Sequence, residues 1–483
     1  MANLTGKKQR RSARVIIAAA LTIMRLSVLG LLLTGGQVLA HPLGAGCRDD
    51  LSFEPPKSAC GGHFHDWAAE QALKEMIRRD SRLNQVKQMA KELVAKGFTA
   101  GSGYGEVWIR DFNTFIRLSC KVMAADTVKE KLLLFFKMQG ADGNIIDGYT
   151  PRATAGVGYD YIYSPLAPML AGHKNTVETD QESSLIQAVY KYIQATGDQK
   201  ILQLEIGGKS VLNRMEMALA YLMNSHYNKN YGLLYGATTA DWGDVQPESP
   251  WGVVIDSNSH MAIDIYDNAM FLIALNNYVQ MAAQDRGPDN SAGQARLAGW
   301  QALQKRFKRR IMQVLWDREK QKFIPHIYLK ESPFPKDFDE RAILYYGGSA
   351  TAIQAGLLNA GQVAAVNQQM LAGVKAAAAG SIGLTLYPPY PAGFFKNKSM
   401  YPYGYQNGGD WTWFGARMIV ELVRFGFVQQ AYQELGPMLD RVIKNKGFYE
   451  WYTPAGKPSG SGEFRGSAGV LYDAILALEH WAK

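Results

Sequence analysis

Cysteine and histidine are scarce, with three Cys and eight His in 483 residues. No Cys/His group has the spacing of metal ligands, so the sequence supports no zinc site. Low-complexity stretches and linker-like composition are missing between Asp66 and the C-terminus. So is any Val/Ile-rich alternation long enough to build a central sheet, which argues against an α/β core. A basic stripe is missing too. The chain carries 52 Lys+Arg against 43 Asp+Glu, a net charge of +9. Six of those basic residues lie in residues 1–40, which hold no acid, and the rest are scattered without an interleaved aromatic platform. No nucleic-acid partner is expected.

What is present begins with a leader. Lys7, Lys8, Arg10, Arg11 and Arg14 precede an apolar run from Val15 to Leu33, and Val38-Leu-Ala40 offers a cleavage site before His41-Pro42. Residues 1–40 therefore read as a signal peptide, and the mature chain as secreted or periplasmic. Arg25 interrupts the apolar run and opposes a stable span. A retained N-terminal anchor is the alternative, and Met24 is an alternative start. Leu43-Gly-Ala-Gly-Cys47 faintly matches a lipoprotein box, with its leucine one place too early. Residues 41–65 read as an extension, in which Cys47 and Cys60 can close a small disulfide loop, and residues 66–483 as one domain. Cys120 reads as an ordinary buried thiol.

From Asp66 onward helical periodicity dominates. It predicts twelve helices: 66–96, 111–125, 126–138, 180–196, 209–226, 262–284, 292–315, 347–358, 361–376, 411–425, 428–445 and 466–482. Asp126 and Asp180 are candidate N-caps, Gly197 is a stop, and short hairpins are expected near 227–240 and 318–328. Twelve helices close as six hairpins, giving an all-α (α/α)6 barrel. The polar and aromatic strings fall before even-numbered helices: Trp108-Ile-Arg-Asp111, Glu178-Thr-Asp-Gln-Glu182, Asp241-Trp-Gly-Asp244, Tyr405-Gln-Asn-Gly-Gly-Asp-Trp411 and Phe448-Tyr-Glu-Trp-Tyr452. In an up-and-down closed array those helix starts share one end, so the strings converge on one rim.

The rim composition suits sugars. Aromatic faces stack on sugar C–H faces, and Asp, Asn and Arg hydrogen-bond hydroxyls. Glycosidic hydrolysis needs one carboxylic acid and one carboxylate. A separation of roughly 6.5–9.5 Å leaves room for a water and inverts configuration.

From Tyr104 to the C-terminus the chain resembles the six-hairpin glycosidases: glucoamylases, the glucosidase domain of glycogen debranching enzymes, trehalases and neutral invertases. Trp108-Ile-Arg-Asp111 is similar to a segment that binds the sugar whose bond breaks, which implies that role for Trp108, Arg110 and Asp111. Thr179-Asp-Gln-Glu resembles a hydroxyl-binding helix entry and implies Asp180. Asp241-Trp-Gly-Asp244 resembles the segment supplying the general acid. Matching Trp242 to its counterpart makes Asp244 the acid, with Asp241 a competitor because glucoamylases place the acid where Gly243 stands. Gln406-Asn-Gly-Gly-Asp-Trp411 is similar to a neutral-invertase segment and implies sugar contacts from Gln406, Asn407 and Trp411. Gly447-Phe-Tyr-Glu450-Trp451 resembles the closing segment that carries the catalytic base, which implies Glu450, with Trp451 beside the sugar.

The expected activity is inverting, exo-acting hydrolysis of an α-glucoside or related α-linked oligosaccharide, by a monomer, with no metal or organic cofactor. The alternatives are another specificity on the same barrel (α-mannosidase, invertase, uronyl hydrolase or lyase) and a non-catalytic sugar-binding protein.

Overall fold

The computed structural model describes residues 67–156, 160–285 and 291–483. The leader, the 41–65 extension and the Cys47–Cys60 pairing lie outside them. Thirteen α-helices run α1 Trp67–Arg79, α2 Ser81–Val94, α3 Ile109–Val122, α4 Ala125–Lys137, α5 Gln181–Thr196, α6 Val211–Ser225, α7 Ile265–Asp285, α8 Ser291–Val314, α9 Tyr346–Gln354, α10 Ala360–Ala376, α11 Thr412–Arg424, α12 Val428–Asn445 and α13 Arg465–Ala482. The count among the described residues exceeds twelve because the predicted 66–96 helix breaks at Asp80. The Asp80 carboxylate accepts from the Arg82 backbone N–H at 3.0 Å and caps α2. A side chain that competes for local backbone donors ends one helix and starts another.

Helices α3, α5, α7, α9, α11 and α13 each pack against the next, and α13 closes on α3. They form the inner ring; α2, α4, α6, α8, α10 and α12 lie outside it. The sequence separates the rings. Buried positions of α12 recur at Val428, Ala431, Leu435, Met438, Leu439 and Val442, one stripe of a helix wetted on its other side. On α5 burial runs unbroken from Gln181 to Val189, as expected of a helix covered all round. The two rings make an (α/α)6 barrel.

Local signals fared unevenly. Gly197 ends α5 in the left-handed conformation at φ 75°. Both hairpins form, 227–228 with 233–234 and 316–317 with 322–323. Asp126 is not an N-cap: Ala124 holds that position, and exposed Asp126 pairs with Lys129 at 2.8 Å. Asp180 sits at the N-cap of α5 but makes no capping bond. Cys120 is buried on α3. Among the described residues no helix is long and apolar enough to cross a membrane.

Candidate active site

The polar strings do meet. A cavity of about 300 Å³ opens where the inner helices start, bringing together Trp108, Arg110, Asp111, Trp242, Asp244 and Glu450. Gln406 and Trp411 line it as well.

Glu450 belongs to an antiparallel pair, Tyr449–Tyr452 with Pro458–Gly462, whose register slips between Tyr449 and Trp451. The extra residue on the facing strand bulges opposite Glu450, a device that re-aims side chains beside functional sites. Gly460 takes φ 69°, and a Cβ there would run into the Glu450 carboxylate. Ser461 N–H then donates to Glu450 Oε2 at 2.7 Å, and the Tyr104 hydroxyl to Oε1 at 2.8 Å. Burial pushes Glu450 up to about 7, while these two donors pull down and the charge of Asp244 pushes up.

Asp244 stands on another wall. The Gln406 side-chain oxygen accepts its backbone N–H at 3.2 Å, and Asn175 donates to its carbonyl at 2.9 Å. Its Oδ1 is buried without a partner. Burial raises its pKa, against Arg110 and Gln406.

Asp241 faces away from the cavity. Its backbone is left-handed, at φ 57°. Its carboxylate accepts from Gly347 N–H at 2.6 Å and Gly348 N–H at 2.8 Å, capping the first turn of α9. A side chain at Gly347 or Gly348 would collide with Trp242 or Asp241. Burial pushes Asp241 well up and these amides hold it down. Both of its oxygens are committed to α9, which places it behind the Asp244 loop rather than in the cavity.

Among the described residues Arg110 is the one cation lining the cavity. It pairs with Glu178 at 2.7 Å and Asp180 at 2.8 Å. Asp180 is fully buried beneath it, also accepting from Tyr266 at 2.7 Å, so it reaches the site only through Arg110. Burial pushes Asp111 up to about 8 and Asp147 to about 7, in each case against Arg110. Glu178 is likewise raised well above its ordinary value by burial, which Arg110 opposes. Asp111 Oδ1 is a second buried oxygen without a partner.

Two other expected sugar contacts are structural. Asn407 donates to the carbonyls of Tyr390 and Met400 and accepts from Tyr390 N–H, which uses its whole amide. Trp451 is buried against Gly409 and is not among the cavity-lining residues. The sequence reading missed Tyr104, Asp147, Asn175, Glu178, Trp251 and Tyr405. Glu178 and Tyr405 had a signal, in the polar strings ahead of α5 and α11. Trp242, Trp411 and Trp413 close one side as an aromatic cluster, with Trp242 edge-on to both partners at 4.7 and 5.2 Å. Among the described residues no group of three or more His, Cys, Asp or Glu is arranged to hold a metal ion.

No family model matches this chain, and no curated protein does. Solved structures do. A mannosylglycerate hydrolase of family GH63 from Thermus thermophilus, in complex with glucose, superposes with TM-score 0.57 at 16% identity, covering 80% of this chain and 99% of that one. An uncharacterized conserved protein from the same organism gives 0.57 at 15% identity and the same coverage. A rhamnosidase from Klebsiella oxytoca with rhamnose bound gives 0.52 at 12% identity, over 82% of this chain and 63% of that one. At these identities the likeness is one of fold.

Proposed function

We propose that this protein is an inverting, exo-acting glycoside hydrolase that removes a terminal α-linked sugar, with an α-glucoside as the first candidate. The observation that carries the reading is the pair of carboxylates on separate walls of one cavity, held in unlike ways. Glu450 accepts two hydrogen bonds, which favour its ionised form. Asp244 keeps one buried oxygen without a partner, where a carboxyl proton can be offered.

The chemistry is one displacement. Glu450 takes a proton from a water whose oxygen attacks the anomeric carbon. The bond to the leaving oxygen breaks, and that oxygen takes its electron pair and the proton of Asp244. Glu450 ends protonated and Asp244 ionised, and solvent restores both. Arg110 and Asp111, with the tryptophan cluster, hold the terminal ring. Likeness of fold to two sugar-cleaving enzymes supports the reading, as does the cavity's size, at the low end for ligand pockets. One chain lines the cavity with both carboxylates, so a monomer suffices for the reaction.

The test is turnover of α-linked disaccharides and α-glycosyl fluorides. Glu450→Gln is expected to lose about 10²–10⁴-fold on both. Asp244→Asn is expected to lose a similar factor on disaccharides but far less on fluorides, whose leaving group needs little protonation. Full activity in both variants sinks the mechanism. Measured sugar affinity with no turnover would favour a binding protein.

A further inference from the structure

The cavity mouth carries a tryptophan that the catalytic assignment leaves unused. Trp251 lines the cavity while remaining 49% exposed, seven residues beyond Asp244 on the same loop. That loop is folded back on itself and tied down. Gln246 N–H donates to the Gly252 carbonyl at 2.9 Å, and Thr176 N–H to Val253 at 3.2 Å. The Asn397 side chain donates to the Trp251 carbonyl at 3.2 Å, and Lys396 N–H to Pro247 at 3.0 Å. Trp251, Val253, Asn397 and Ser399 thus make one patch of wall, aromatic and polar without charge.

The acid protonates the leaving oxygen, so the leaving group must lie beside Asp244 and point to the mouth. Its neighbours there are this patch. The charge of the cavity bears on what it can be. Five carboxylates line it (Asp111, Asp147, Glu178, Asp244 and Glu450), and its cation, Arg110, is already bound to Glu178 and Asp180. Among the described residues no lysine or histidine lines it. Lys396 and Lys398 flank Asn397 but do not line the cavity. A carboxylate-bearing leaving group would therefore find no free cation to meet its charge, only carboxyls and an arginine already paired with two of its own.

Resting on the hydrolase reading above, we infer that Trp251, with Val253 and Asn397, is the subsite for the leaving group, and that it takes a neutral sugar ring rather than an organic acid. The substrate is then a neutral di- or oligosaccharide.

The test compares wild type, Trp251→Ala and Trp251→Phe on maltose, nigerose, kojibiose and α-1,2-mannobiose, on α-glucosyl and α-mannosyl fluoride, and on glucosylglycerate and mannosylglycerate. Trp251→Ala is expected to lower kcat/KM on the best disaccharide about 10- to 100-fold, a ring's worth of buried contact. Fluoride hydrolysis should stay within about 2-fold, because fluoride places no ring on Trp251. Trp251→Phe should recover most of the loss by keeping an aromatic face. Wild type should cleave the glycosylglycerates about 100-fold less well than the disaccharide. An equal loss on disaccharide and fluoride overturns the subsite, and equal rates on disaccharide and glycosylglycerate overturn its neutrality. Absence of all turnover overturns the hydrolase reading instead. Disaccharide binding to Glu450→Gln with and without Trp251→Ala, followed by tryptophan fluorescence, then decides the subsite: weakening on truncation is expected, and equal affinity overturns it.

Discussion

Replacing Tyr104 by phenylalanine removes one of the two donors on Glu450 and nothing else from its carboxylate. The phenol is 2.8 Å from Oε1, and burial beside Glu450 keeps it protonated, so in the native protein it is always a donor. A hydrogen bond to a charged acceptor contributes about 1.5–3 kcal/mol. At 1.36 kcal/mol for each tenfold in proton affinity, losing it moves Glu450 from about 7 to roughly 8–9. The sign is fixed by chemistry: the donor stabilises the ionised base, so its removal raises the pKa. At pH 6 the ionised fraction falls from about one in ten to between roughly one in a hundred and one in a thousand. The expected result is a loss of about 10- to 100-fold in kcat/KM at pH 6 that shrinks as pH rises, with the acidic limb displaced upward and the bell narrowed against the titration of Asp244. The assay is a kcat/KM profile from pH 5 to 9 on an α-glycosyl fluoride, which depends little on the acid. A loss of the same factor at every pH would refute the reasoning and make Tyr104 a substrate contact. An unmoved profile would mean that Ser461 N–H alone sets the base.

Asp241→Ala should destabilise the protein by about 0.5–2 kcal/mol, the usual cost of a lost helix cap, measured by denaturant unfolding. It should also lower kcat more than it raises KM, because the loop that carries Asp244 loses its anchor on α9; Asp241→Asn, which keeps an acceptor, should be milder than Asp244→Asn. A loss on disaccharides but not on fluorides in Asp241→Asn would instead make Asp241 the acid. The site's carboxyls also make a stability prediction. Burial holds Asp147 at about 7, above the roughly 3.9 of a free Asp, so the folded state keeps a proton that the unfolded chain has released by about pH 5. That contribution is fully present below about pH 4 and is lost progressively as pH rises to about 7. The Tm of Asp147→Asn relative to wild type should therefore climb between about pH 4 and 7 and level off above, and a relative Tm that falls with pH over that range would contradict the assignment.

The rim was legible in the sequence because it depends on order alone. Strings that precede alternate helices must share an end once the helices close in a ring, whatever their side chains do. Direction was not legible. Gln406 and Asn407 are adjacent, yet one meets the Asp244 loop and the other spends its amide on Tyr390 and Met400. The choice is made by the turn around them, where Tyr405 takes φ 43° and Gly408 φ 89°. Asp241 and Asp244 diverge for the same reason, since a left-handed residue at 241 swings its side chain onto α9. Tyr104 left no trace because distant residues fix its position: Ser102 N–H donates to the Gly462 carbonyl and Gly103 N–H to Ser461 Oγ, both at 2.9 Å. Those bonds join the segment before α3 to the strand facing Glu450, and no local pattern announces a partner that far along the chain.

That junction also bears on the unlike roles proposed for Glu450 and Asp244, which carry the same functional group. Glu450 lies between two segments that each supply a donor, so its negative charge is provided for before a ligand arrives. Asp244 sits on a loop whose backbone is held by Asn175 and Gln406 but whose Oδ1 is buried without a partner. Burial and the charge of Asp180 raise its pKa, against Arg110 and Gln406. The leaving oxygen of a bound glycoside is an acceptor that this open oxygen can meet. Two preorganised donors on Glu450 and an open buried oxygen on Asp244 are what the proposed roles of base and acid rest on. Burial alone cannot separate them, because it raises both.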